Sequence, residues 1–438
     1  MVDWIDLIVR KRESEGLEPE EIMSFVEAVE REEIASDQAA AFLMAVTLNG
    51  FDEDETGAYV KALTASSQSL RFSEGGPSVV DVGETAALGN NAPIAALPIA
   101  AVYGCKIPVV GDRALGTYGG LMDKFEAIPG FRGDVSLSEF QEAVENIGIA
   151  LVGQTTDLAP ADTLINRIRT KTGSSGGGAL AAASLLARKA VAGVRGLAIQ
   201  IYCGSGGIAK TQNEGHNLAD LIFGVGENLG MKITGVLVNG GSPVGHAIGD
   251  SLEIAEAIEV LKGDGPEDLR EVVLSLAGSL LTISQLATDH AQGVKLAEEA
   301  IADGRALTKF KDLVSNQGGD AQTIDNLEQL PRGQGTRDVT TQRPGHIKVI
   351  DCNSLGRAWR YLGGSRDERG ETTDHRVGLV VHKKVGDAVQ AGEQLVTLHT
   401  SERSRVEEAL EAVEEAFLIS PDPVEKQRTV LDYIGRHR

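Results

Sequence analysis

The chain is short of aromatic residues, of positive charge and of cysteine, and each shortage excludes something. Aromatics make up 4% of its 438 residues, against 52 glycines. Such a composition suits an α/β protein with many strand-to-helix turns. Lysine and arginine number 41 against 64 Asp and Glu, for a formal net charge of −23. That deficit argues against nucleic-acid binding, which needs a basic face, and fits a solvated acidic surface. The cysteines, Cys105, Cys203 and Cys352, are odd in number and far apart. They give no disulfide framework and no metal spacing, which fits a reducing cytoplasm. His246, His290 and His382 have no metal spacing either, so no metal and no cofactor are expected. No apolar run is long enough to span a membrane. The N-terminal MVDWIDLIVRKRE carries charge within its apolar part and lacks a cleavage site, so it does not read as a signal peptide.

What is present falls into three regions. Residues 1–70 read as short helices. Pro19 suits a helix first turn, and Ile22, Phe25, Val26 and Val29 then fall at i, i+3, i+4 and i+7. From Ser78 the pattern changes. Strand-like runs at Val79–Val82, Ile107–Val110, Ala150–Val152, Leu197–Ile201 and Ile233–Val238 alternate with helical stretches. That alternation predicts a parallel sheet with helical crossovers. Ala161–Arg169 and Leu180–Ala192 are also helical and flank the Gly/Ser segment KTGSSGGG, a hinge or a loop against a ligand. Residues 315–345 are polar and Gly-rich and read as a linker. Beyond them, Ile347–Ile350 and Val377–Leu398 read as strand-rich, and Arg403–Phe417 and Pro423–Ile434 as helical.

The centre of the chain is Val79–Pro93, VVDVGETAALGNNAP. An apolar strand, a small-residue turn and an apolar run have the grammar of a phosphate loop at a helix N-terminus. The wording does not suit a phosphate. The loop has no Lys, Arg or Ser, one Thr (Thr85) and an acid, Glu84.

Four further stretches carry a resemblance. They are GDRALGTYGGLMDKFEAIPGF (111–131), VGQTTDLAPAD (152–162), GHAIGDSLEIAEAIEVLKGDGPEDL (245–269) and GLVVHKKVGDAVQAGEQLVTLH (378–399). In order and spacing they resemble the thymidine and pyrimidine nucleoside phosphorylases. The resemblance implies an α/β protein with α+β parts. An N-terminal helical domain (1–70, joined by 161–192) would precede a large α/β domain with a mostly parallel central sheet (78–160 and 193–315). A C-terminal β-rich α+β domain would follow (340–438). It also implies a homodimer through the helical domain, a small-molecule nucleoside or base as ligand, and pentosyl transfer by phosphorolysis.

Carried over position by position, the family's base-binding residues fall on Arg169, Ser184 and Arg188. The third is Lys in the family, and Arg keeps its charge but not its shape. An aromatic that the family places shortly before the Arg is Asn166 here. The phosphate ligands fare worse. The family's Lys-His-Ser becomes Val82-Gly83-Glu84, its double Gly becomes Ala86-Ala87, and its second Ser becomes Pro93. A third Ser becomes Gly111, a Thr becomes Leu121, and the His before that Thr is Thr117. A carboxylate about 4 Å from one phosphate charge costs roughly 4 kcal/mol at an effective dielectric near 20, so the replaced loop argues against ordinary phosphorolysis. Glu84 then stands as a candidate general base for water or another hydroxyl acceptor. A non-catalytic nucleoside or base binder is the other reading. Asp162 reads equally well as a helix N-cap, and Asp123 with Lys124 as a structural pair.

Overall fold

The computed structural model describes residues 2–72, 78–85, 87–113, 119–153, 158–365 and 372–435. Ala86 and Thr117 lie outside them.

Four helices open the chain: Trp4–Arg12 (α1), Pro19–Glu30 (α2), Ser36–Asn49 (α3) and Glu53–Thr64 (α4). Asp52 caps α4 by accepting from the Glu55 N–H, and the Glu55 side chain answers on the Asp52 N–H. Glu55 also takes the Lys11 ammonium at 2.8 Å, with both side chains 5% exposed. That buried pair locks α1 to α4 beneath the aromatic row Phe25, Phe42, Phe51 and Tyr59.

The α/β region follows as Val80–Glu84 (β1), Ala92–Val102 (α5), Ile107–Gly111 (β2), Leu121–Glu126 (α6), Leu137–Ile147 (α7) and Ile149–Gly153 (β3). Then come Pro160–Thr172 (α8), Gly178–Val191 (α9), Gly196–Cys203 (β4), Gln212–Asn228 (α10), Lys232–Asn239 (β5) and Ala247–Ile248 (β6). Helices Asp250–Leu261 (α11), Glu267–Ile283 (α12), His290–Ala302 (α13) and Arg305–Asn316 (α14) close it. The strands are buried on both faces and rich in Val, Ile and Leu, as parallel strands under helices must be. β1, β4 and β5 pair in parallel, and so do β2 and β3. A single bridge, Val79 to Lys106, joins the two groups at the start of β1. No ladder continues it among the described residues, so the carboxyl ends of β1 and β2 stand apart. Helices α8 and α9 pack on α2, α3 and α4 and share one buried core with them.

The C-terminal part contains Gln322–Asp325 (α15), Gly335–Thr340 (β7), Gly345–Ile350 (β8), Cys352–Leu362 (α16), Gly378–Val381 (β9), Ala388–Val389 (β10), Gln394–Thr400 (β11), Val406–Ala416 (α17), Phe417–Ser420 (β12) and Val430–Gly435 (β13). Two expectations fail here. Residues 315–345 are not a plain linker, because β7 pairs with β11 along its whole length. Pro423–Ile434 is not a helix, because β13 runs antiparallel to β5 and completes the central sheet. Its Val, Tyr and Ile suit a strand, and the unpaired edge of β5 supplies the partner.

Candidate functional site

The gap between β1 and β2 opens into a cleft of about 260 Å³. Glu84 and Thr85 from the end of β1, Asp112 from the end of β2, and Gly207 and Lys210 after β4 form one wall. Asn166 and Arg169 of α8 and Ser184 and Arg188 of α9 form the other. The strand ends on one side and the bundle-packed helices on the other thus bring together residues more than a hundred positions apart. Gly207 is required at its place, because a Cβ there would lie 2.0 Å from the Tyr202 carbonyl oxygen.

Three of the sequence candidates, Arg169, Ser184 and Arg188, share this wall. Ser184 and Arg188 stand one turn apart on α9 and project together. Arg169 is buried and donates from Nη1 to Asn166 Oδ1 (2.8 Å) and from Nη2 to the Ser175 carbonyl (3.1 Å). Ser184 donates to Asp162 Oδ2 (2.9 Å) and accepts from Asn166 Nδ2 (3.1 Å). Asp162 therefore holds Ser184, and the N-cap position of α8 belongs to Ala159. Arg188 Nη1 pairs with Asp112 Oδ2 at 3.1 Å, while its buried Nε has no hydrogen-bond partner among the described residues.

The residues expected at the phosphate loop are split. Val82, Glu84, Pro93, Gly111 and Leu121 converge on a void of about 20 Å³ between β1 and β2. Four of these five present no polar side-chain atom. Pro93, in the first turn of α5, also removes a backbone donor that an anion would use. Gly83 does not reach the void. A Cβ there would press on Leu185 and Ile199 at 3.2–3.3 Å. Thr85 lines the cleft, but its hydroxyl is engaged with the Gln200 carbonyl and the Tyr202 N–H, each at 3.3 Å.

Glu84 is the half-buried carboxyl that borders both spaces. Burial raises its pKa first and the charge of Asp112 second. Lys124, Lys189 and Arg188 pull it back, and the balance is about 7. Burial pushes Asp112 up too, but the Arg188 guanidinium outweighs it and holds this carboxyl below its ordinary value. Two neighbouring carboxyls thus differ in proton affinity, one ionised and one titrating near neutrality. The cost of Glu84 to a bound phosphate is correspondingly smaller than a full charge would impose.

A buried relay fixes Glu84. Asn90 Nδ2 donates to Glu84 Oε2. Tyr202 donates to Asn90 Oδ1 (3.0 Å), and Gln200 Nε2 donates to the Tyr202 hydroxyl. Lys124 holds the Asn90 carbonyl and pairs with Glu253 at 2.8 Å, so its described partners are not those the sequence suggested. Lys189 pairs with Asp81 at 2.5 Å, and Arg113 pairs with Glu126. Asp112, Asn90 and Tyr202 were not anticipated from the sequence. Only the position of Asp112, a carboxylate at the carboxyl end of a strand, could have drawn attention to it.

The fold and cleft can now be set beside known proteins. Residues 76–307 match the α/β domain of a glycosyl transferase family, and residues 5–67 match its helical bundle domain. Residues 346–420 match the pyrimidine nucleoside phosphorylase C-terminal domain. The pyrimidine-nucleoside phosphorylase of Geobacillus stearothermophilus is 33% identical over 431 residues, 98% of this chain and 99% of the relative. The chain belongs to the pyrimidine-nucleoside phosphorylase family. The Bacillus subtilis pyrimidine-nucleoside phosphorylase is 32% identical over 95% of this chain and 96% of its own. Among solved structures, anthranilate phosphoribosyltransferase from Thermus thermophilus superposes with a TM-score of 0.58 at 20% identity. The match covers 71% of this chain and 99% of that one. That similarity supports the fold: a helical domain and an α/β domain around a cleft.

Proposed function

We propose that this member of the family is a pentosyltransferase of nucleoside metabolism. It binds a pyrimidine nucleoside and passes the pentosyl group to water or another uncharged hydroxyl in place of phosphate. The single observation that carries this reading is Glu84. It borders both a void of about 20 Å³, with room for about one water, and the 260 Å³ cleft. Its carboxyl titrates at about 7, where a general base works best at neutral pH.

In the proposed reaction the Glu84 carboxylate takes a proton from water as the water oxygen bonds to C1′. The C1′–N bond breaks with its electron pair on the base. The charge developing there faces Arg169 and Arg188, and the base then takes up a proton. The products are free base and free pentose. Domains divide as the sequence suggested except that β13 (430–435) belongs to the central sheet of the α/β domain and β7 to the C-terminal sheet, and a homodimer forms through the helical domain. Ile5, Met23 and Leu48 on α1, α2 and α3 are 65%, 37% and 76% exposed and offer an apolar face for it. The three buried free cysteines favour a reducing compartment, and we place the protein in the cytoplasm. No helix among the described residues is long and apolar enough to cross a membrane.

The test is base release from thymidine or uridine in phosphate-free buffer, repeated with E84Q. Release without phosphate that E84Q abolishes supports the proposal. Release only with phosphate, yielding pentose 1-phosphate, overturns it in favour of phosphorolysis. Binding without turnover under either condition would make the cleft a nucleoside sensor.

A further inference from the structure

Asn166 makes two hydrogen bonds of a particular pattern. Its Oδ1 accepts from Arg169 Nη1 at 2.8 Å, and its Nδ2 donates to Ser184 Oγ at 3.1 Å. The orientation of the amide is forced. A guanidinium only donates, so the oxygen must face Arg169. The Ser184 hydroxyl spends its one proton on Asp162 Oδ2 at 2.9 Å, so what it offers Asn166 is a lone pair. A carbonyl beside an N–H is also the hydrogen-bonding edge of a pyrimidine imide. Uracil and thymine would present that edge to the same donor and the same acceptor.

We propose that Asn166 is a specificity-determining residue. Its carboxamide occupies on Arg169 and Ser184 the two contacts that a pyrimidine imide edge would take. The inference rests on reading this wall as the base half-site. In the free protein the contacts are satisfied internally. Arg169 is further tied to the Ser174 and Ser175 carbonyls at 3.4 and 3.1 Å, which holds the guanidinium in place. A base with an unsubstituted imide must displace Asn166, exchanging hydrogen bonds without gaining any. A ligand held by shape has no such exchange to make. Asn166 therefore biases the cleft against recognition through the imide.

Replacing Asn166 with Leu keeps most of its volume and removes both polar atoms. Calorimetric titration of wild type and N166L with uracil, thymine and 3-methyluracil tests the inference. N166L should bind uracil and thymine about tenfold more tightly than wild type, the net worth of about one hydrogen bond. 3-Methyluracil keeps its carbonyls but lacks the N–H that Ser184 would accept from, so it should gain clearly less. N166A, checked by thermal melting, stands in if N166L does not fold. An equal gain for all three bases would show that the variant only made the cleft more apolar, and would overturn the inference. Wild-type binding with no gain in N166L would overturn it while leaving the base half-site intact. No binding of any base to either protein would overturn both.

Discussion

Replacing Glu84 with Gln probes the cleft without changing its shape. The Gln oxygen can accept from Asn90 as Glu84 does, and its amide can donate toward Asp112. What disappears is the titration. Glu84 moves from an ordinary 4.5 to about 7 in the folded protein, so between these values the folded state holds a proton that the unfolded state has released. Wild-type stability must fall as pH rises through that window and then level off above it. At 1.36 kcal/mol per unit the full difference is about 3 kcal/mol, an upper bound because the carboxyl faces an open cleft. E84Q lacks this loss. Melting curves should show the variant close to wild type near pH 5 and several degrees more stable at pH 8. An E84Q protein that is less stable than wild type at pH 8, or a difference that does not change with pH, would refute the reasoning.

Other outcomes follow from the same contacts. Lys189→Met leaves Asp81, 1% exposed, without its cation; a loss of about 3–5 kcal/mol is expected, read as a fall in the denaturation midpoint. Tyr202→Phe removes the hydroxyl that sets the Asn90 amide. It should cost about 1–3 kcal/mol of stability and shift the pH midpoint of base release, which a merely structural role would leave in place. Arg188→Gln frees Asp112, whose depressed pKa contributes stability above its ordinary value that is lost as pH falls through the lowered one. The variant should lose that acid-side transition in a pH-dependent melt. Truncation after Arg428 removes β13 and bares the edge of β5. Light scattering should then show association through that edge.

Much of the fold was legible because periodicity is local. The helical run Ile22–Val29 and the five parallel strands follow from residue spacing, and the strands' observed bounds differ by a residue or two. β13 was not legible, since Pro423–Ile434 has no strong period and becomes a strand only because β5 lies beside it. β7 was hidden in the same way by β11. The site divides along the same line. Arg169, Ser184 and Arg188 could be placed from family motifs, and they line one cleft. Gly83 does not line the void that Val82 and Glu84 on either side of it line. Asp112, Asn90 and Tyr202 matter through a pairing in space with Arg188, Glu84 and Gln200, and nothing in their sequence spacing announces it.

The proposed role of Glu84 is to activate an uncharged acceptor. The most direct measurement is chromatographic release of thymine from thymidine, with the sugar product identified, in the presence and absence of phosphate. Equal rates, with free deoxyribose as product, are predicted. Thymine release that requires phosphate and yields deoxyribose 1-phosphate would contradict the claim, as would no release at all.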